Sequence, residues 1–363
     1  MEINEKTLDN LITKTENISK VANGIIDNQK NIIKTIQDSI NASQEKLANE
    51  LLGLASEMFK NGLNTYSGRL EEYVVNNVLQ APYDFKKAFS THKAIFAERH
   101  KMAMFLYRNL EKIKDNAKNN REQIKATKGD KIKVFTYWDN SDDLPPIIKL
   151  CQESLKKYIN KDKFDLIILN KESYKEWTTF RFEDINAKLG QAHLTDILRL
   201  KLLEQWGGFW LDATCLLTED FWKATENIRQ QEQFLFTYVT SRTGNWFIYS
   251  QPNNYIISMI LSALLLWWDT QKYLTNYFMF HDIVEMFYWV DPEYRQHWNS
   301  MQSVHPRNAL ALLRDYNKKC TEDEFNNMLK GSFVHKLTYK YDKTKVVSDS
   351  VLNKIIKLCE TGK

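Results

Sequence analysis

Cysteine is scarce in this sequence: Cys151, Cys215, Cys320 and Cys359 are the only four in 363 residues. No two of them stand at metal-ligand or redox spacing, which argues for reduced thiols in a cytosolic protein. Excess charge is also scarce. With 50 Lys and Arg against 46 Asp and Glu, the formal net charge is +4, too small to imply a nucleic-acid partner. Long apolar runs are missing. The longest, Ile256 to Trp268, is broken only by Ser258 and Ser262; it is shorter than the ~20 residues of a membrane-spanning helix and reads as a buried helix. The opening MEINEKTLDN has no basic start followed by an apolar core, so no signal peptide is expected. There is no GxxxxGK[ST] phosphate loop, no dinucleotide fingerprint and no convincing Ser-His-Asp or Cys-His set.

What is present divides in two, as the length allows at ~150 residues per domain. Residues 1–128 hold one proline, Pro82, and few strand-like runs. Within 5–60, Leu8, Leu11, Thr15, Ile18, Ala22, Ile25, Gln29, Ile32 and Ile36 alternate steps of three and four, and Leu47, Leu51, Leu54 and Met58 resume the stripe. This coiled-coil-like seam admits oligomerisation, partner binding, or amphipathic helices folded back on one another or on the domain that follows. From 83 to 128 the chain stays helical and turns basic. Lys86, Lys93, Arg99, Arg108 and Lys114 alternate with Phe85, Phe89, Phe96, Met102, Phe105 and Leu106. Such an amphipathic stretch suits either an anionic membrane surface or a protein core with a solvated basic face.

The pattern changes after the polar stretch ending at Gly129-Asp130. Lys131–Trp138 reads as a strand, Pro145-Pro146 opens a helix over 147–159, and Phe164–Leu169 reads as a buried parallel strand. This alternation predicts an α/β domain over 129–363. At its centre stands AHLTDILRLKLLEQWGGFWLDATCLLT, residues 192–218. Leu194, Ile197, Leu198 and Leu202 form the apolar stripe of a helix, with Asp196 and Arg199 three apart on another face. Gly207-Gly208 ends that helix, Phe209–Leu211 makes a short strand, and Asp212 emerges at its end. In open α/β sheets, ligand chemistry gathers at such strand ends. Further strands are expected at Phe234–Val239 and Trp246–Tyr249, and a helix at Tyr255–Trp268.

The order Thr195-Asp196-x-x-Arg199, Gly207-Gly208, Phe209-Trp210-Leu211, Asp212-Ala213-Thr214 resembles the signature of a family of sugar-nucleotide glycosyltransferases. That family includes bacterial capsular polysaccharide synthesis proteins and shares its core with the clostridial glucosylating toxins. The resemblance covers about residues 131–340. It implies a GT-A type, Rossmann-like nucleotide-sugar-binding domain, here preceded by the all-helical N-terminal region.

It also implies transfer of a hexose from a nucleotide sugar, UDP foremost, with retention of configuration and Mn²⁺ or Mg²⁺ as cofactor. Asp196 would grip sugar hydroxyls, Arg199 would hold Asp196 or touch the donor, and Asp212 would bind ribose and metal-bound water. Tyr137 or Trp138 would stack on the base, and Asn245 would lie near sugar and phosphates. The late Gly331-Ser332-Phe333-Val334-His335-Lys336-Leu337-Thr338 resembles a closing loop, with His335 as metal ligand and Lys336 as diphosphate partner. Asn276–Asp282 resembles an acceptor-side aromatic-His segment. One position departs: Thr214 stands where the second carboxylate of Asp-x-Asp is expected, and a hydroxyl is the poorer ligand for a hard cation.

Three functions are compatible with this reading. One is a cytoplasmic enzyme of surface polysaccharide assembly, extending a saccharide or lipid-linked acceptor, with peripheral membrane contact and homo-oligomerisation through the N-terminal helices as options. Another is a toxin or effector that glycosylates a protein. The third is a scaffold with a weakened transferase site.

Overall fold

The computed structural model describes residues 93–124, 129–185, 187–239 and 242–361, with scattered positions between 13 and 38. The chain divides into two compact units, Met1–Ala97 and Glu98–Lys363. In the first, the described positions between 13 and 38 are helical. The heptad-like seam, from Leu8 to Met58, lies outside the described residues.

The second unit begins earlier than the change of sequence pattern at 128/129. Helix α1 (Lys93–Arg108) is followed by α2 (Leu110–Gln123), which runs into the polar stretch that ends at Gly129-Asp130. Met102, Phe105, Leu106, Ile113 and Ala117 are buried in the same apolar cluster as Ile256, Ile260 and Trp267. The apolar side of these helices therefore packs on protein. Part of the basic side is paired as well: Arg99 contacts Asp282 and Glu285, and Lys114 contacts Asp291 and Glu293.

Then comes the α/β core. β1 (Ile132–Tyr137), α3 (Pro146–Tyr158), β2 (Phe164–Leu169), α4 (Gln191–Trp206) and β3 (Gly208–Leu211) follow in order. After them come β4 (Cys215–Leu217), β5 (Gln233–Val239), β6 (Arg242–Ser250) and α5 (Tyr255–Thr270). The five-stranded sheet has the order β2-β1-β3-β6-β5. β2, β1 and β3 run parallel, as the βαβ reading requires, while β6 runs antiparallel to both β3 and β5. Alternation along the strands splits the core between the two faces. Phe135, Trp210, Leu235 and Ile248 join α4 and α5 on one side; Val134, Phe209, Phe247 and Phe234 fill the other.

α4 is buried on nearly every side, polar residues included: His193, Thr195, Asp196, Arg199 and Glu204 all have little exposure. Its C-terminal end explains the glycine pair. Gly207 and Gly208 both have positive φ, 62° and 85°. A Cβ on Gly208 would meet the Lys133 carbonyl oxygen at 2.1 Å, so the second glycine serves the close approach of β3 to β1 as well as the turn.

The rest of the unit includes α6 (Met279–Val290), α7 (Pro292–Asn299), α8 (Glu322–Lys330), β7 (Val334–Lys336) and α9 (Val351–Thr361). β7 pairs antiparallel with β4, Cys215 opposite Lys336 and Leu216 opposite His335. No helix among the described residues is long and apolar enough to cross a membrane. All four cysteines are free.

Candidate active site

The site lies where β3 leaves the sheet. β3 is short because Asp212 turns out of it, with its N–H bonded to the Trp246 carbonyl and its own carbonyl accepting from Cys215. The Asp212 carboxylate is held by three groups. Trp210 Nε1 donates to Oδ1 at 2.9 Å, Arg199 Nη2 lies 3.5 Å from the same oxygen, and Lys336 Nζ donates to Oδ2 at 2.6 Å. Burial alone would push this carboxyl up, but attraction to Lys336 and Arg199, with the hydrogen bonds from Lys336 and Trp210, holds it down at about 2.

Arg199 is the hub. From α4 its Nε donates to the Thr195 carbonyl at 3.2 Å, and Nη1 donates to the Asn245 carbonyl at 2.7 Å and lies 3.2 Å from Asp196 Oδ1. Its guanidinium sits 5.1 Å from the centre of the Trp210 ring, a cation–π distance. Asn245 Nδ2 donates to Asp196 Oδ1 at 2.8 Å. Asp196 and Arg199 are 6% and 4% exposed, so they are not a surface ion pair. A carboxylate and a guanidinium removed from water in this way need several partners each, and these two have them.

Asp196, Arg199, Asp212, Asn245 and Lys336 are thus joined through shared contacts. Thr214 is joined too, because Lys336 Nζ donates to its hydroxyl at 2.7 Å. The β4–β7 ladder makes this possible by setting Lys336 beside the Asp212–Thr214 segment.

His335 is not brought there. Neighbouring residues on a strand point to opposite faces. His335 is fully buried, with Nε2 3.0 Å from the Leu329 carbonyl oxygen. Its assignment as a metal ligand is corrected accordingly. Tyr137 is also committed elsewhere. Its hydroxyl donates to Asp139 and accepts from Gln191, and its ring packs edge-on against Tyr174 and Phe182. Burial, with the Asp139 carboxylate as neighbour, pushes its phenol well up. Trp138 is the ring left at the end of β1, half-buried and 4.8 Å from Tyr339 on the segment that follows β7.

Two groups were not singled out from sequence. His193 Nδ1 lies 3.7 Å from Asp196 Oδ2, and its ring packs edge-on against Tyr277 at 5.7 Å. The spacing of His193 and Asp196, three apart on one helix, was the available signal. Trp210, read as a strand residue, is also a hydrogen-bond donor to the site.

A family model of capsular polysaccharide synthesis proteins matches residues 83–355. The chain belongs to that family. Among solved structures it is similar to one titled "PaToxG Glycosyltransferase", at 15% identity and a TM-score of 0.33, with 64% of this chain and 95% of that chain covered. No curated protein matches it.

A divalent ion does not fit the donor set of this capsular-family chain. Hard cations take several oxygen ligands, carboxylates foremost. Asp212 and Thr214 supply one carboxylate and one hydroxyl, and the Lys336 ammonium already bonds to both. Asp196 is engaged by Arg199 and Asn245. Among the described residues, no three His, Cys, Asp or Glu side chains are grouped so as to hold a metal ion.

Proposed function

We infer that the chain is a glycosyltransferase that moves a hexosyl group from a nucleoside-diphosphate sugar, UDP-linked, onto a saccharide or lipid-linked acceptor of a surface polysaccharide. Membership of the capsular polysaccharide synthesis family supports this reading. The observation that carries it is the partly buried cluster joining Asp196, Arg199, Asn245, Asp212 and Lys336 at the end of β3.

Glycosyl transfer makes two electrostatic demands: charge grows on the departing diphosphate, and the anomeric carbon becomes cationic. Lys336 and Arg199 answer the first, as preorganised cations in a site with little water. Asp196, fixed by Arg199 and Asn245, answers the second by holding sugar hydroxyls so that the ring is oriented for reaction. Asp212 anchors both cations and, with its side chain 23% exposed, accepts a hydrogen bond from a ribose hydroxyl. Trp138 offers a ring for the base.

With retention, the acceptor oxygen attacks from the side the diphosphate leaves. The bond from the anomeric carbon to the phosphate oxygen breaks, the new glycosidic bond forms, and the acceptor's proton passes to the departing phosphate oxygen. No enzyme nucleophile enters.

The test is release of nucleoside diphosphate from a panel of nucleotide sugars, with wild type and Asp212→Asn side by side. One donor should be turned over by wild type, and Asp212→Asn should lose that turnover. Full activity in Asp212→Asn would remove this site from the reaction; no turnover of any donor would remove the reaction from the protein. Saccharide, lipid-linked and protein acceptors offered with the accepted donor then identify what receives the sugar.

A further inference from the structure

The cation offered to a diphosphate in this site belongs to the chain itself. Lys336 Nζ is 2.6 Å from Asp212 Oδ2 and 2.7 Å from Thr214 Oγ1. It occupies the space between the two side chains that would both face a divalent ion in an Asp-x-Asp pattern. Thr214 fits this occupant better than it fits a metal, because its hydroxyl accepts a hydrogen bond from the ammonium and remains otherwise neutral.

The lysine is placed by backbone. Its N–H donates to the Ala309 carbonyl, the next residue's N–H donates to the Thr214 carbonyl at 2.9 Å, and β7 is paired along β4. The local charges also match without an added ion. Asp196 and Asp212 stand against Arg199 and Lys336, and a divalent ion beside Asp212 would face two cations that already hold that carboxylate. An ammonium has three N–H donors. Asp212 and Thr214 take two, and one is left for a phosphoryl oxygen.

We propose that Lys336 replaces the divalent metal, so that this enzyme binds the diphosphate of its donor through the Lys336 ammonium and needs no metal ion to do so. The proposal rests on the glycosyltransferase reading and concerns the same site. The ammonium would meet the diphosphate in the bound donor and hold its charge as the leaving group departs.

The experiment is calorimetric titration of the full chain with UDP, and with other nucleoside diphosphates, in EDTA and in Mn²⁺. In parallel, the Mn²⁺ EPR signal follows whether the protein takes up the ion. Wild type is expected to bind one nucleoside diphosphate with Kd values within about threefold in the two buffers, and to leave the free Mn²⁺ signal unchanged on its own. Lys336→Met, which keeps the unbranched stem and removes the ammonium, is expected to weaken binding in EDTA at least about tenfold, the loss of one charge-assisted contact.

Binding by wild type only in Mn²⁺ would overturn the proposal and leave the transferase reading standing. Unchanged affinity of Lys336→Met in EDTA would also overturn it. If no nucleoside diphosphate binds in either buffer, both the proposal and the transferase reading fail. The wild-type comparison needs no variant, so it decides the matter even if Lys336→Met does not fold.

Discussion

Asn245 and Asp196 are 49 residues apart in sequence and bonded side chain to side chain, Asn245 Nδ2 donating to Asp196 Oδ1 at 2.8 Å. The carbonyl of the same Asn245 accepts from Arg199 at 2.7 Å, so β6 closes a ring with two residues of α4. The side-chain half of that ring can be cut separately from the backbone half. Asn245→Asp keeps the shape and the carbonyl but sets a second carboxylate against Asp196. Transfer should fall by about 10- to 100-fold in kcat/KM, the scale of a lost oriented hydrogen bond plus like-charge repulsion. The unfolding temperature should fall as well, because the repulsion acts in the folded state beside a carboxylate that is 6% exposed. Steady-state kinetics and a thermal melt on the same sample check both parts.

Arg199→Lys separates charge from geometry. The guanidinium serves the Thr195 and Asn245 carbonyls and both carboxylates at once. An ammonium on a shorter, pointed reach cannot do this. At 4% exposure, each group that Arg199 serves loses a contact that water does not replace, at a cost of about 2–4 kcal/mol in stability. Denaturant unfolding of wild type and variant measures the difference. A variant as stable as wild type would show that Arg199 is dispensable to the fold of α4 and β6.

Much of the domain was legible in the sequence because its elements have strong local signals. Phe164–Leu169 is a continuous apolar run and became β2 over the same residues; the helix expected at 255–268 became α5. Asp196, Arg199 and Asp212 were readable because a helix, a glycine turn and a strand fix their spacing locally. The partner of Asp212 was harder to read. Lys336 comes from 124 residues away, and the register of β4 against β7 is set by backbone pairing that leaves no periodic mark. His335 shows the converse. The period of two along a strand already forbids His335 and Lys336 from facing the same group, and that rule would have excluded the histidine once the segment was taken as a strand. The helices of 93–124 resisted for a different reason: a basic amphipathic stretch has the same pattern whether its apolar side meets lipid or protein. Only the burial of Met102, Leu106 and Ile113 distinguishes them.

Gly208→Ala tests the join between sheet and site. The added Cβ would lie 2.1 Å from the Lys133 carbonyl oxygen, at a φ of +85°. Neither the backbone of β1 nor the turn can yield cheaply, so a loss of about 3 kcal/mol or more is expected. Gly190→Ala is the control, since a Cβ there meets nothing within 4 Å; at the start of α4 it should shift stability by less than about 1 kcal/mol. Equal melting temperatures for the two variants would mean that β3 can move away from β1 without cost.

Buried histidines give stability a pH dependence near neutrality. Burial lowers both His281 and His335 below the ordinary 6.5. His281 faces Asp196, Arg199 and Asp282; His335 faces the Leu329 carbonyl. In the unfolded chain both rings take up protons below about pH 6.5, while in the folded protein they remain neutral to lower pH. The unfolded state then binds more protons, so stability is complete above that pH and declines as pH falls toward the folded values. The unfolding midpoint should therefore drop between pH 7.5 and pH 5. His335→Gln keeps an N–H for the Leu329 carbonyl but cannot titrate. It should start less stable than wild type at pH 7.5 and lose stability less steeply, by up to about 1.4 kcal/mol per pH unit, the slope of one proton. Parallel pH profiles for the two proteins would mean that His335 takes up its proton at the same pH folded as unfolded, so that its burial does not hold it neutral.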